Sequence, residues 1–247
     1  MIPFKIIEVE KTASTQSLIL EMDREGTMRE YTVVVTTDQT SGRGQGNNVW
    51  ESERGKNLLF SMVLEPICTK ASEQFLITQF ISLAIVDTLK EYAVEGVRIK
   101  WPNDIYVGEK KICGVLIQNN VIGNQISKTY IGIGINVNQK EFVLAPNPTS
   151  IALEKGREYD LREVLERVLE RVLVRYKMLK EGKREELKRE YLDLLLYRGE
   201  KRKYVYKGKE IEAKIENVNC FGHLILETER EGKIVCELKE LRFVIGK

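Results

Sequence analysis

The chain has 247 residues, of which 43% are hydrophobic and 31% are charged, so its length fits one large domain or one medium and one small domain. Its 39 basic and 37 acidic residues leave a formal charge of +2, which argues against a dedicated nucleic-acid or membrane-surface protein. No apolar run approaches the roughly 20 residues of a membrane span, and the N-terminal segment lacks the apolar core of a signal peptide.

Hydrophobic periodicity predicts alternating strands and helices over most of the chain. Segments rich in β-branched and alternating apolar residues predict strands at 6–9, 31–37, 57–64, 97–100, 105–107, 111–118 and 129–137. Helical spacing predicts helices at 14–26, 72–92, 161–179 and 183–196. The first helix has Ser14 or Thr15 as its N-cap, and Asp160 with Glu163 resembles a capping box at the start of the third.

The segment that follows Arg198 differs from the rest of the chain. Five short alternating segments are separated by turns, which predicts a small antiparallel barrel. We therefore place a domain boundary near Arg198, with one domain at residues 1–198 and a second at residues 199–247. The surplus of Lys and Arg between residues 180 and 209 is explained by a solvated helix face and a linker.

Histidine and cysteine chemistry is scarce in this sequence. The only histidine is His223, so histidine-dependent hydrolase sites and most zinc sites are excluded from the part of the chain before it. The four cysteines are far apart and form no CxxC pair, which favours a reduced, cytoplasmic protein. Chemistry in the first domain must therefore use Lys, Arg, Asp, Asn, Gln and backbone amides.

A glycine-rich loop is the first of three segments with candidate functional residues. Gly42, Gly44 and Gly46 surround Arg43, and backbone amides freed by glycines suit an anion. The loop is neither a Walker A loop nor a Rossmann turn, because no Gly-Lys-Ser/Thr sequence and no helix follow it. A flexible hairpin loop is the alternative interpretation.

The other two segments are KWPND at residues 100–104, followed by Lys111 and Gly114, and GIGIN at residues 132–136. Proline stiffens the KWPND turn, for which a plain turn with solvated lysines is the alternative. In GIGIN the two glycines and the asparagine share one face of a strand. Such glycines either let a ligand approach closely or make room for a packed aromatic side chain.

In order and spacing, these segments resemble the biotin–protein ligase family. GRGQGNNVW is similar to the family's glycine-rich biotin and nucleotide loop, KWPNDIYVGEKKICGVLI to its KWPND…K…G signature, and GIGINVN to its G-x-G-x-N strand. STQS at residues 14–17 sits where the family has an S-T-N type biotin contact. The resemblance runs from about residue 9 to residue 138, and beyond residue 150 it is one of architecture only.

The resemblance implies an α+β fold, in which a mixed sheet is flanked by helices as in class II aminoacyl-tRNA synthetases and biotin–lipoate ligase catalytic domains, with a small C-terminal SH3-like β-barrel. It implies an enzyme that activates biotin with ATP and Mg²⁺ to biotinyl-5′-AMP and passes the biotinyl group to a lysine of a biotin carboxyl carrier domain. A carboxylate and a triphosphate repel each other, so fixed positive charge and amide dipoles would supply most of the catalysis. No membrane is expected as a partner, and relatives often form homodimers.

Roles for individual residues also follow from the resemblance. Lys111 would neutralise the carboxylate and α-phosphate, Arg43 would close over the adenylate, and Asp104 would deprotonate the acceptor lysine. The implied biotin contacts are Ser14, Thr15, Gln16, Gln39, Arg43, Gly44, Gln45, Lys111 and Gly114. The implied nucleotide contacts are Gly42, Arg43, Gly44, Trp50, Lys100, Asn103 and Asn136, the last of which would also contact Mg²⁺.

Two residues depart from the family pattern. Gln45 stands where many relatives have a second arginine, and Gln16 stands where asparagine is common. Bifunctional relatives begin with a helix-turn-helix, whereas this chain begins with the catalytic domain, so we expect no DNA binding. The alternatives are a lipoate–protein ligase, whose R-R-x-S-G-G-G loop is absent here, a non-catalytic biotin- or adenylate-binding regulatory module, and a nucleic-acid-binding protein built on the C-terminal barrel.

Overall fold

The computed structural model describes residues 3–44, 46, 48–229 and 232–246. Its strands are β1 (Lys5–Thr12), β2 (Thr32–Gln39), β3 (Leu58–Leu64), β4 (Val97–Lys100), β5 (Asp104–Val107), β6 (Lys110–Ile122), β7 (Gln125–Ile135), β8 (Lys201–Tyr206), β9 (Lys209–Val218), β10 (Leu224–Thr228), β11 (Gly232–Cys236) and β12 (Leu241–Phe243). Its helices are α1 (Thr15–Met22), α2 (Phe75–Glu91), α3 (Ile151–Lys155), α4 (Leu161–Lys180) and α5 (Arg184–Asp193). Two 3₁₀ turns lie at Ala71–Glu73 and Leu238–Glu240.

Strands β1 to β7 form one mixed sheet in the order β1-β2-β3-β7-β6-β5-β4. β1 and β2 are parallel, whereas the other neighbouring strands of this sheet are antiparallel. Successive residues of a strand face opposite sides, so Val33 packs in the large core with α2 and α4, and Val34 packs in a smaller core with Ile19 of α1. Helices thus cover both faces of the sheet, which confirms the predicted α+β class.

Strands β8 to β12 form a small antiparallel sheet in the order β11-β10-β9-β8-β12, as predicted for the C-terminal segment. The chain between α5 and β8 first pairs with the large sheet. The amide of Ile99 donates to Leu194 O and the amide of Leu196 donates to Ile99 O, both at 2.9 Å. This pairing explains why α5 ends at Asp193, before the predicted residue 196. The domain boundary near Arg198 stays a prediction.

The structure differs from the predicted elements in three further places. α1 ends at Met22, because Asp23 turns back to accept a hydrogen bond from Met28 N at 2.7 Å. β6 and β7 form a longer hairpin than predicted, because backbone pairing continues past the point where the apolar pattern ends. The short helix α3 escapes prediction because one turn has no periodicity. Among the described residues, no helix combines the length and apolarity needed to cross a membrane.

Lys128 of β7 anchors the end of α1, which carries candidate site residues at its other end. Its Nζ donates to Asp23 Oδ2 at 2.8 Å, to Gly26 O at 2.9 Å and to Met28 O at 2.7 Å. The hydroxyl of Tyr130 donates to the same carboxylate at 2.7 Å. Burial alone raises the pKa of Asp23, but the bonds from Lys128, Met28 and Tyr130 together hold it below its usual value.

We expect Lys128→Met to lower the free energy of unfolding by about 3 kcal/mol, because the Asp23 carboxylate, whose side chain is 0% exposed, loses its counter-charge. Urea denaturation measures this loss. The stabilisation from Asp23 is complete above its usual pKa of 3.8 and disappears as the pH falls through the lower folded pKa, so the difference from wild type should narrow below about pH 4. Lys11→Met is the matched control and should lose far less, because Lys11 is 64% exposed and lies 3.6 Å from its partner Asp38.

Candidate active site

A cavity of about 390 Å³ lies against the central strands β3, β7 and β6 of the large sheet, and the C-terminal segment reaches it through Leu238 and Lys239. It brings together residues from the start of α1, the glycine-rich loop, the KWPND turn and strand β6. The predicted site residues that line it are Ser14, Thr15, Gln16, Gln39, Arg43, Gly44, Trp50, Lys100, Asn103, Asp104, Lys111 and Gly114. Gly42 and Asn136 are not part of the lining, and Gln45 lies outside the described residues.

The start of α1 forms a buried polar end of the cavity. Ser14 is the N-cap, and Thr15 N donates to Gln39 Oε1 at 2.9 Å. Ser61 Oγ donates to Thr15 Oγ1, also at 2.9 Å. Because the carbonyl of Gln39 is occupied in this way, its amide nitrogen is left to donate toward the cavity.

Gln16 presents a hydrogen-bond acceptor at the same end. Its Nε2 donates to Gln118 Oε1 at 2.9 Å and to the backbone carbonyl of Tyr130 at 3.2 Å. A backbone carbonyl accepts and never donates, so the orientation of the Gln16 amide is fixed. Its Oε1 is buried without a partner among the described residues and lies 2.8 Å from the position that a Cβ on Gly132 would take. This end of the cavity therefore suits a ligand with an N–H group.

The other end of the cavity is cationic. Lys111 Nζ lies 2.7 Å from Asp104 Oδ1, and the two side chains are 29% and 24% exposed. The backbone of Lys111 is held on both sides, because its N–H donates to Asn147 O at 2.7 Å and its carbonyl accepts from Thr149 N at 2.9 Å. Because this backbone is fixed, only the ammonium group has to turn from Asp104 for Lys111 to bind an incoming anion.

Lys100 is a second cation of the cavity, and its ammonium group lies over two aromatic rings. Its Nζ lies 5.2 Å from the ring centre of Phe243 on β12 and 5.7 Å from that of Tyr106. Burial lowers the pKa of Lys100, while the nearby Asp104 carboxylate opposes that shift. An anion that reached this ammonium group would stabilise its charged form and so oppose the effect of burial on the pKa of Lys100.

The glycine-rich loop forms a hairpin beside the cavity. Gly44 N donates to Asn48 O at 2.8 Å, and Trp50 N donates to Gly42 O at 2.9 Å. The Arg43 side chain is exposed and its guanidinium makes no hydrogen bond or ion pair within the described part of the chain. It is therefore free to bind an anion in the cavity.

The indole of Trp50 covers two glycines on neighbouring strands. A Cβ on Gly114 would lie 2.8 Å from this ring and one on Gly134 would lie 2.6 Å from it. Gly114 and Gly134 are cross-strand partners, and Lys111 Nζ lies 5.6 Å from the centre of the Trp50 ring. In this structure the glycine face makes room for an aromatic side chain, which is one of the two roles predicted for it.

Asn136 lies behind the wall of the cavity. Its Nδ2 donates to Thr149 O at 2.9 Å, and its Oδ1 is buried without a partner among the described residues. A contact of Asn136 with phosphate or Mg²⁺ stays a prediction.

Two cavity residues come from the C-terminal sheet and have no signal in the sequence. Leu238 and Lys239 belong to the 3₁₀ turn before β12, and they reach the site through the packing of the two sheets. Trp101 and Pro102 also line the cavity, although the sequence indicated only their role in stiffening a turn. Local pattern does not indicate contacts between elements that are far apart in the chain.

Comparison with known proteins agrees with this combination of fold and cavity. Residues 8–136 match the model of the Biotin/lipoate A/B protein ligase family, which is just over half of the chain, and the chain belongs to this family. Within the family it is similar to the biotin–protein ligases. The biotin protein ligase from Aquifex aeolicus, solved with biotin and ATP, superposes with a TM-score of 0.80 at 30% identity and covers 97% of this chain and 99% of that one.

Two further relatives have longer chains. The bifunctional ligase/repressor BirA of Bacillus subtilis is 35% identical over 145 residues, which is 57% of this chain and 44% of that protein. The human biotin–protein ligase is 28% identical over 162 residues, 64% of this chain and 22% of that protein. The chain thus matches less than half the length of these two relatives.

Proposed function

We propose that this protein is a biotin–protein ligase, which forms an amide bond between biotin and a lysine of a biotin carboxyl carrier domain through biotinyl-5′-AMP. The observation that carries the proposal is a single cavity with a neutral hydrogen-bonding end and a cationic end. A ureido ring offers N–H groups to Gln16 Oε1 and a carbonyl to the amide nitrogen of Gln39. The carboxylate tail would then extend toward Lys111.

Adenylation would take place at the cationic end. The biotin carboxylate attacks the α-phosphate of ATP and pyrophosphate leaves. Lys111 would neutralise both reacting anions, and Arg43 would move over the adenylate with the loop amides. In a water-poor cavity this neutralisation counts for more than it would in solution.

Transfer of the biotinyl group to the acceptor lysine would use Asp104, the other member of the ion pair with Lys111. In the structure Asp104 is paired with Lys111 at 2.7 Å, so its carboxylate becomes available as Lys111 turns to the phosphate. Asp104 would then accept a proton from the incoming lysine, whose amine attacks the acyl carbon while AMP leaves. Each step uses groups already present at this end of the cavity.

Mg²⁺ would arrive as the counter-ion of ATP. No group of three or more His, Cys, Asp or Glu side chains fit to hold a metal occurs within the described ranges. Mg²⁺ commonly binds through substrate phosphates and one or two protein oxygens. Asp104 lines the cavity and supplies the protein oxygen that would serve, whereas the unpartnered Oδ1 of Asn136 lies behind the wall and would need that wall to shift.

The proposed function is tested by exchange of radiolabelled pyrophosphate into ATP, which needs no acceptor protein. We expect exchange that depends on biotin and is absent with lipoate. Exchange with lipoate instead would favour a lipoate–protein ligase. Tight biotin binding without exchange would favour a non-catalytic module that regulates by binding biotin or its adenylate. Incorporation of biotin into a carrier domain then tests the transfer step.

If the glycine-rich loop shields the adenylate from water, its amides should be protected from hydrogen exchange when ligand is bound. A mixed anhydride hydrolyses readily, so the glycine-rich loop should close over it. We expect amide hydrogen exchange in this loop to slow with biotin plus ATP. The β6–β7 turn at 122–125 is the internal control and should be unaffected. Unchanged exchange in the loop would contradict its role as a lid.

A further inference from the structure

A tight turn of the C-terminal sheet faces the KWPND segment of the large sheet. The turn joins β9 to β10, and the side chain of Asn219 organises it. Its Oδ1 accepts from Phe221 N at 3.0 Å and from His223 N at 2.9 Å. Gly222 N donates to Asn219 O at 2.9 Å, and Gly222 has a φ of +89°, a conformation that favours glycine. One asparagine thus holds this turn in a single shape.

The turn presents its Gly222 carbonyl to the buried indole of Trp101. Trp101 Nε1 donates to this carbonyl at 2.8 Å, and Trp101 is 3% exposed. The Phe75 ring packs directly against Gly222, since a Cβ at that position would lie 2.4 Å from the ring. The bond is therefore buried where the C-terminal sheet meets the KWPND segment and α2, and an unmade hydrogen bond between buried groups is costly.

Two other contacts hold the residues that follow Trp101. The hydroxyl of Tyr191 on α5 donates to Pro102 O at 2.7 Å. Asn103 Nδ2 donates to Val115 O on β6 at 3.0 Å. The next residue is Asp104, whose carboxylate pairs with Lys111. Within the part of the chain that the structure describes, the Trp101 side chain is thus the one point at which the C-terminal sheet holds this turn by a hydrogen bond.

We infer that the Asn219–His223 turn is a positioning element for the adenylation site, and that Trp101 and Asn219 are positioning residues. They act through the Pro102–Asn103 turn, which places Asp104 against Lys111. Asn219 shapes the turn, the turn fixes the Gly222 carbonyl, and this carbonyl fixes the Trp101 ring. A shift of about 1 Å in reacting groups is enough to slow a reaction by roughly 100-fold.

This arrangement predicts a specific kinetic effect. The polar end of the cavity is built from α1, β2 and Gln118 of β6, and among the described residues none of these is a hydrogen-bond partner of the Asn219–His223 turn. Loss of the Trp101–Gly222 bond should therefore lower kcat and leave the KM for biotin nearly unchanged. A role confined to overall folding would lower the fraction of active enzyme, so kcat is calculated per biotin-binding site, counted by titration with biotin, and on that basis such a role would leave kcat unchanged.

Trp101→Phe removes the indole N–H and keeps an aromatic ring, and Asn219→Ala removes the acceptor that shapes the turn. In biotin-dependent pyrophosphate exchange we expect each variant to lower kcat by about 10-fold, with the KM for biotin within about 3-fold of wild type. Asn219→Asp keeps an acceptor oxygen at this position, so its kcat should stay close to that of wild type. Tyr204→Phe is the matched control, because Tyr204 is buried in the same sheet and its hydroxyl has no partner among the described residues.

An unchanged kcat in folded Trp101→Phe would overturn the inference, as would a loss of kcat in Tyr204→Phe of the same size. The inference rests on the proposed function, so a second measurement is independent of activity. We expect Asn219→Ala to speed amide hydrogen exchange at residues 103–105 and Asn219→Asp to restore it. If wild type lacks pyrophosphate exchange, the proposed function fails, and this second measurement alone decides the positioning role. Equal amide exchange in Asn219→Ala and wild type would then overturn it.

Discussion

Lys111→Ala should reduce biotin-dependent pyrophosphate exchange by about 10²- to 10³-fold. The variant removes the cation that faces both reacting anions and leaves the Asp104 carboxylate, formerly 2.7 Å from Lys111 Nζ, as a negative charge in the same place. Biotin binding should weaken far less, because the ring contacts lie at the other end of the cavity. Exchange kinetics together with calorimetric titration of biotin separate these two effects.

Lys110→Ala is a closely matched control for this prediction. Lys110 is the neighbouring residue, it is exposed, and it is absent from the lining of the cavity. The two variants lose the same charge from the same strand, so a general change in net charge affects both equally. A comparable loss of exchange in Lys110→Ala would show that long-range charge, rather than contact with the reacting groups, explains the effect.

The central part of the fold and one side of the cavity could be predicted from the sequence, because both depend on local pattern. The apolar and β-branched residues of β2, β3 and β7 mark these segments as strands that are buried over much of their length. Ser14, Lys111 and the glycine-rich loop were recognisable as single segments with unusual chemistry, and these segments converge on one cavity.

The contacts between the two sheets could not be predicted in this way. The bond from Trp101 to Gly222 joins residues 121 positions apart, and neither residue has a neighbour that indicates the other. The same limit applies to Gln118 of β6, which contacts Gln16 only because α1 packs on the neighbouring strand β7. Sequence pattern reports which face of an element is buried, whereas the partner on that face follows from the packing of the whole sheet.

Gly134→Ala should lower kcat/KM for biotin by roughly 10- to 100-fold, because its Cβ would lie 2.6 Å from the Trp50 indole and the ring must move. Gly114→Ala, on the paired strand β6, should clash in the same way, because its Cβ would lie 2.8 Å from the Trp50 indole. Pyrophosphate exchange measures the loss, and a shift in Trp50 fluorescence reports the movement of the ring. The overall fold should persist, because the displaced ring is part of the cavity wall rather than of the main core.

A double-mutant cycle with Trp50→Leu decides why glycine is needed at this position. If Gly134 makes room for the indole, the alanine substitution should have little further effect once the indole is removed, and the two losses will not add. If Gly134 instead makes room for the ligand itself, the losses should add in full, because the bound ligand would still meet the new methyl group. The first outcome is expected, since the indole occupies the space above both glycines.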